Sequence, residues 1–150
     1  MKGVKRMDDE TKKILVAMDG SKNAERALIE AKEQGEHSEA SITILSVIKP
    51  VFLPYYGKSE ISKQDREEIE KSREELLKRS LELFEDYPGA LETKIRKGDP
   101  AEEILEESED GNYDLIVMGS KGLGLFTRSL LGSVSNKVLT HTKTNVLIVK

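Results

Sequence analysis

Five short apolar runs, each parted from the next by a stretch of helical periodicity, restrict this chain of 150 residues to few architectures. Residues 14–18 (ILVAM), 41–47 (SITILSV) and 113–118 (YDLIVM) are rich in strand formers, as is Asn145–Val149 (NVLIV). Leu91, Thr93 and Ile95 alternate with charged residues and predict a third strand lying at a sheet edge. Between the runs, Ala24, Ala27, Leu28 and Ala31 recur at helical spacing, predicting a helix over 22–34 with one small-residue face. Residues 63–86 predict the longest helix, with Ile69, Leu76, Leu77, Leu81 and Phe84 as its buried stripe. Asp99-Pro100 is a cap followed by proline at the first helical position, with Glu102 and Glu103 in the first turn, and that helix should reach about 108. A last helix should run from Gly132 to His141.

The sum is βαβαβαβαβ, which predicts a five-stranded parallel sheet with helices on both faces, a Rossmann-like α/β fold. Right-handed crossovers and an edge position for strand 3 fit the order 3-2-1-4-5. Residues 1–11 are charged and aperiodic and read as a flexible tail, leaving 12–150 as one domain. Residues 49–62 hold Pro50, Pro54 and Gly57 and read as a long loop.

Composition narrows the chemistry. There is no cysteine, so disulfides, thiolate catalysis and thiolate metal sites are excluded. The two histidines, His37 and His141, are too far apart in sequence to suggest a histidine-rich metal cluster. Lys plus Arg total 24 against 28 Asp plus Glu, a net charge of −4, which argues against a general nucleic-acid binder. No apolar run approaches the roughly 20 residues of a membrane helix, and the opening MKGVKRMDDETKK lacks the apolar core of a signal peptide. A cytoplasmic protein is expected.

In open α/β sheets ligands bind beyond the carboxyl ends of the strands, where the strand order reverses. Here that place lies between strands 1 and 4. It is bordered by Ala17-Met18-Asp19-Gly20-Ser21 and by the glycine-punctuated segment from Gly119. The phosphate template GxxxxGK[ST] fails, because Leu125-Phe126 follow Gly124. GxGxxG fails at Thr127. What remains is G-x2-G-x9-G-S, filled by Gly119, Gly122, Gly132 and Ser133. Glycines at 119 and 122 allow backbone N–H groups to approach an anion. Gly132-Ser133-Val134-Ser135 opens a helix whose first N–H groups and positive dipole end favour phosphate.

Together with KKILVAMDGSKNAERAL, the block VMGSKGLGLFTRSLLGSVSNKVLTHTKTNVLIV resembles the nucleotide-binding branch of the universal stress protein family, over about residues 12–150. The resemblance implies the fold argued above, an ATP, ADP or AMP site between the first and fourth strands, and homodimers joined through strand 145–149. It implies that Ala17 and Asp19 border adenine and ribose, that Val47 meets the base through its backbone, and that Met118 lines the pocket. Gly119, Lys121, Gly122, Gly132, Ser133, Val134 and Ser135 would hold ribose and phosphates. One branch of the family lacks the glycines and does not bind ATP; this chain has them.

The same residues have plainer uses. Asp19 suits a turn or helix cap, Ser133 and Ser135 suit capping, Lys121 suits a solvated loop, and Val47 and Met118 suit the core. Asp19 could also help hold a divalent ion such as Mg2+ beside phosphates. No general base or phosphate-loop lysine is evident, so hydrolysis would be slow or partner-dependent. A nucleotide-free dimeric scaffold is the other alternative. A receiver-type phosphorylation switch is rejected, because Asp19 stands alone and strand 3 ends in Arg96-Lys97. Strand 5 as an apolar edge supplies its own argument for a dimer, since open edges template pairing with another chain.

Overall fold

The computed structural model describes residues 11–50, 62–122 and 131–150. The N-terminal tail, most of the loop 49–62 and the stretch 123–130 lie outside the described residues.

Five parallel strands form one sheet: β1 (Lys13–Ala17), β2 (Ser41–Ile48), β3 (Leu91–Lys97), β4 (Leu115–Gly119) and β5 (Asn145–Val149), in the order β3-β2-β1-β4-β5. Helices α1 (Lys22–Glu36), α2 (Lys63–Glu82), α3 (Pro100–Asp110) and α4 (Ser133–His141) make the crossovers. Side chains alternate across the sheet and sort into two cores. Ile14, Val16, Ile42, Ile44 and Val117 pack with Ala24, Ala27 and Leu28 of α1 and Leu77 of α2. Leu15, Leu45, Ile116 and Met118 pack on the other face with Ala101 and Ile104 of α3 and Val138 of α4. Both faces are therefore covered, as the alternating strand and helix pattern requires.

The register fixes which residues meet at the carboxyl ends. Ala17 stands opposite Leu45, Val16 opposite Val117, and Gly119 opposite Val149. Three helices are closed by side chains at their N-termini: Ser21 accepts from Ala24 N–H, Ser62 from Asp65 N–H and Asp99 from Glu102 N–H. The fourth, α4, starts at Gly132 with no side-chain cap.

Several boundaries differ from expectation, each for a local reason. The long helix ends at Glu82, because Leu83 N–H and Phe84 N–H turn back to Ser80 and Leu81 carbonyls. Phe84 nonetheless stays in the core, edge-on to Tyr87 with ring centroids 5.6 Å apart. Strand β4 starts at Leu115 rather than 113. Asp114 there accepts the Lys12 and Lys13 N–H groups on its carboxylate. Tyr113 is buried and donates to Glu107 at 2.8 Å. Strand β3 runs to Lys97, and its charged residues belong to an ion-pair network: Lys94 and Arg96 each reach Glu107 at 3.0 Å, and Arg96 also reaches Glu103 and Glu106. Burial alone would raise the Glu107 carboxyl; hydrogen bonds from Tyr113, Lys94 and Arg96 outweigh it and hold it below the usual range. Burial pushes the Tyr113 phenol up.

Candidate functional site

The carboxyl end of β1 runs into a tight turn. Met18 is buried and its N–H donates to Leu45 O at 2.8 Å, which carries the chain one residue past the strand. Asp19 then accepts the Ser21 N–H on Oδ1 at 2.9 Å, and Gly20 sits at φ +92, a conformation that favours glycine. Ser21, not Asp19, caps α1. Asp19 thus shapes the turn with one carboxylate oxygen. Its other oxygen faces the second loop, because a Cβ built on Gly122 would lie 2.5 Å from Asp19 Oδ2.

The carboxyl end of β4 is packed more tightly than a flexible loop would be. A Cβ on Gly119 would fall 2.8 Å from both Cβ and the backbone carbon of Asn23, in the first turn of α1. Glycine at 119 is therefore required by helix packing, a reason distinct from access by an anion. Ser120 is buried, and each of its three polar groups is engaged. Its N–H donates to Val149 O at 2.8 Å, its carbonyl accepts Gly132 N–H at 2.6 Å, and its hydroxyl accepts Asn23 Nδ2–H at 3.2 Å.

The start of α4 closes against this loop. A Cβ on Gly132 would sit 3.3 Å from Ser120 O and 3.4 Å from Lys121 Cα, so the helix begins almost in contact with the glycine turn. Ser135 donates its hydroxyl to Gly119 O at 2.7 Å, which commits its one proton inside the protein. Ser133 and Gly122 are exposed, and Lys121 is half-buried. With no side-chain cap on α4, its first-turn N–H groups have no intrahelical acceptor, as at every helix start.

The sequence-derived residues therefore fall into two groups. Asp19, Gly119, Lys121, Gly122, Gly132, Ser133 and Ser135 lie on the two loops and the helix start at the point where the strand order reverses. Ala17, Val47, Met118 and Val134 share the core face covered by α3 and α4; Met118 is buried and the other three pack at its margin. The stretch 123–130 lies outside the described residues. Ser120 and Asn23 join the site without having been singled out. Their signal was weak, since a serine among glycines and an asparagine near a helix start both read as ordinary loop chemistry. No group of three or more metal-ligating side chains occurs among the described residues. A separate open cleft of about 280 Å3 between α2 and β3, lined by Glu74, Leu77, Lys78, Leu81, Thr93 and Ile95, shares no residue with this site.

A profile described as the universal stress protein family matches residues 10–150. The chain belongs to this family. It is 32% identical over 149 residues to universal stress protein YxiE of Bacillus subtilis, covering 92% of this chain and 98% of that one. A universal stress protein of Thermus aquaticus is 37% identical over 142 residues, covering 93% and 98%. Among solved structures, UspA of Lactobacillus plantarum superposes with a TM-score of 0.77 at 24% identity, over 95% of this chain and 100% of that one. Two other family members have the same fold and were solved with nucleotides. The Archaeoglobus fulgidus protein with dAMP has a TM-score of 0.68 at 20% identity, over 95% and 100% of the two chains. An Arabidopsis thaliana protein with AMP has 0.64 at 22%, over 93% and 91%.

Proposed function

We propose that this family member binds an adenine nucleotide, ATP, ADP or AMP, at the carboxyl ends of β1 and β4, and acts as a regulatory protein through its nucleotide-dependent state. The observation that carries the reading is the meeting of an uncapped helix start with a glycine turn: Gly132 lies against Ser120 and Lys121, and Gly122 against Asp19. Backbone N–H groups from α4 and the exposed Gly122 and Ser133 suit phosphate there, with Lys121 beside them. Ala17 and Val47, over the buried Met118, offer the apolar margin that a purine needs. The nucleotide-bound relatives support the same ligand class.

Asp19 accepts from a ribose hydroxyl in this reading. A Mg2+ ion would arrive with the phosphates, since Asp19 is the carboxylate of the two loops and a lone carboxylate leaves most of the octahedral sites to water and phosphate. The protein is proposed to work in the cytoplasm, and among the described residues no helix is long and apolar enough to cross a membrane.

We also propose a homodimer through β5. Among the described residues this strand pairs with β4 alone, and Val146, Leu147, Ile148 and Val149 are each half-buried. Among the described residues, the large apolar side chains that stand exposed are Ile29 of α1 and Leu139 of α4. Ile29 lies one turn from Arg26, whose guanidinium reaches Lys150 O at 3.4 Å. Leu139 lies on the flank of α4 opposite Lys137, which reaches Asp99 and Glu102 at the start of α3.

Calorimetric titration with ATP tests the nucleotide site. Wild type should bind one nucleotide per chain, and Gly132→Val should lose at least about tenfold in affinity, because its side chain fills the gap between α4 and the glycine turn. Equal binding by the folded variant would remove the phosphate assignment.

A further inference from the structure

Ser120 is the point where three elements are fastened: β5 through Val149 O, α4 through Gly132 N–H, and α1 through Asn23 Nδ2. The first two bonds use the backbone and are open to any residue at 120. The third uses two side chains that the nucleotide reading does not employ. Asn23 is also the residue against which Gly119 is pressed, at 2.8 Å from a Cβ built there. A helix start and a strand end touching this closely can still slide or tilt; a directed side-chain hydrogen bond between them fixes their relative position. The Asp19 turn precedes Asn23 by four residues, and Gly122 follows Ser120 by two. The contact between Asp19 Oδ2 and Gly122 therefore depends on how these two segments are held together.

We propose that Asn23 and Ser120 are positioning residues for the nucleotide site. Their hydrogen bond latches the start of α1 to the glycine turn, so that the Asp19 carboxylate and the backbone N–H groups of 121 and 122 are held in place before ligand arrives. The latch touches no ligand atom. It lowers the ordering cost of binding, and preorganisation of this kind raises affinity without adding contacts. The proposal rests on the nucleotide-binding reading above.

ATP titrations of wild type, Asn23→Ala, Ser120→Ala and the double variant test it, each paired with a thermal melt and with amide exchange of the nucleotide-free protein. Either single variant should weaken ATP binding about fivefold to tenfold, the range of one lost hydrogen bond. The double variant should bind no worse than the weaker single, because both remove one interaction. Amide exchange at Ser120, whose N–H is bonded to Val149 O, should speed up in both singles while the melting temperature stays near wild type. Unchanged ATP affinity in Asn23→Ala, or losses that add in full in the double variant, would overturn the latch and leave the nucleotide site standing. A lowered melting temperature with wild-type affinity in the folded fraction would make the bond merely structural and overturn it too. A wild type that binds no ATP would overturn the nucleotide reading and the latch together.

Discussion

Asp19 Oδ2 and Gly122 are in contact across the two loops that follow β1 and β4: a Cβ added at Gly122 would stand 2.5 Å from that oxygen. The acidic turn and the glycine turn are therefore parts of one surface, although more than a hundred residues of sequence separate them. Asp19 is held from its other side by Ser21 N–H, so it cannot swing away without breaking the turn that leads into α1.

Gly122→Ala tests that contact. The added methyl must displace the Asp19 carboxylate, and the expected result is a loss of ATP affinity of about tenfold with a small change in melting temperature, since Gly122 is exposed. Titration calorimetry alongside a thermal melt separates the two effects. Wild-type affinity in this variant would show that the two loops need not touch for binding.

At Gly119 the prediction has the opposite balance. Its missing Cβ makes room for the first turn of α1, with Asn23 backbone and side chain both at 2.8 Å. Overpacking of this kind costs about 1–3 kcal/mol. Gly119→Ala should therefore lower the denaturation midpoint clearly, and urea unfolding with an unchanged slope would report it.

Asp19→Ala should act mainly on the ligand. Ser21 keeps the α1 cap, so the stability lost should be small, about 1 kcal/mol. ATP affinity should fall by more than tenfold if Asp19 holds the ribose. A large fall in melting temperature with affinity unchanged would assign Asp19 to the turn alone.

The Glu107 network predicts a pH dependence far from the site. Glu107 is buried and accepts from Tyr113, Lys94 and Arg96, and its folded-state pKa is lowered. A depressed carboxylate contributes stability that is fully present above its ordinary, unfolded pKa and is lost as pH falls through the folded value. The stability gap between wild type and Glu107→Gln should thus be widest near neutral pH and shrink below about pH 4.5. Guanidinium melts at pH 7 and pH 4 measure it; a gap that widens on acidification would contradict the assignment.

The dimer is checked by sedimentation at micromolar concentration. Wild type should sediment as twice 16.8 kDa. Val149 O accepts Ser120 N–H, so the backbone groups of 149 and 147 face β4 and those of Ile148 face the open edge; Ile148→Pro removes a donor from that edge and should yield monomer. Ile29→Glu with Leu139→Glu should weaken association while leaving the fold intact, because both side chains are already exposed in the single chain. Association unchanged in both variants would place the interface elsewhere.

The strand order was legible because each signal was redundant. Ile14, Leu15 and Val16 form a continuous apolar run, as a strand covered on both faces must, and the alternation in β3 marked an edge. Gly132 and Asp19 could be placed at the point where the strand order reverses, because the strand order and the turn and glycine spacing together locate both loops there. The packing role of Gly119 and the latch between Asn23 and Ser120 were not legible. Both depend on how closely α1 approaches β4, and that distance is set by Ala24, Ala27 and Ala31 acting together rather than by any one residue. The end of α2 was missed for a similar reason: Phe84 continues the apolar spacing after the backbone has left the helix.

Native mass spectrometry of the protein as purified, with no nucleotide added and then with ATP, reads occupancy of the nucleotide site itself. A mass increment of one adenine nucleotide per chain is expected after ATP addition, and its loss in Gly132→Val. A wild-type chain that gains no nucleotide mass at any ATP concentration up to the millimolar range would contradict the claim that the β1–β4 loops and the start of α4 form a nucleotide site.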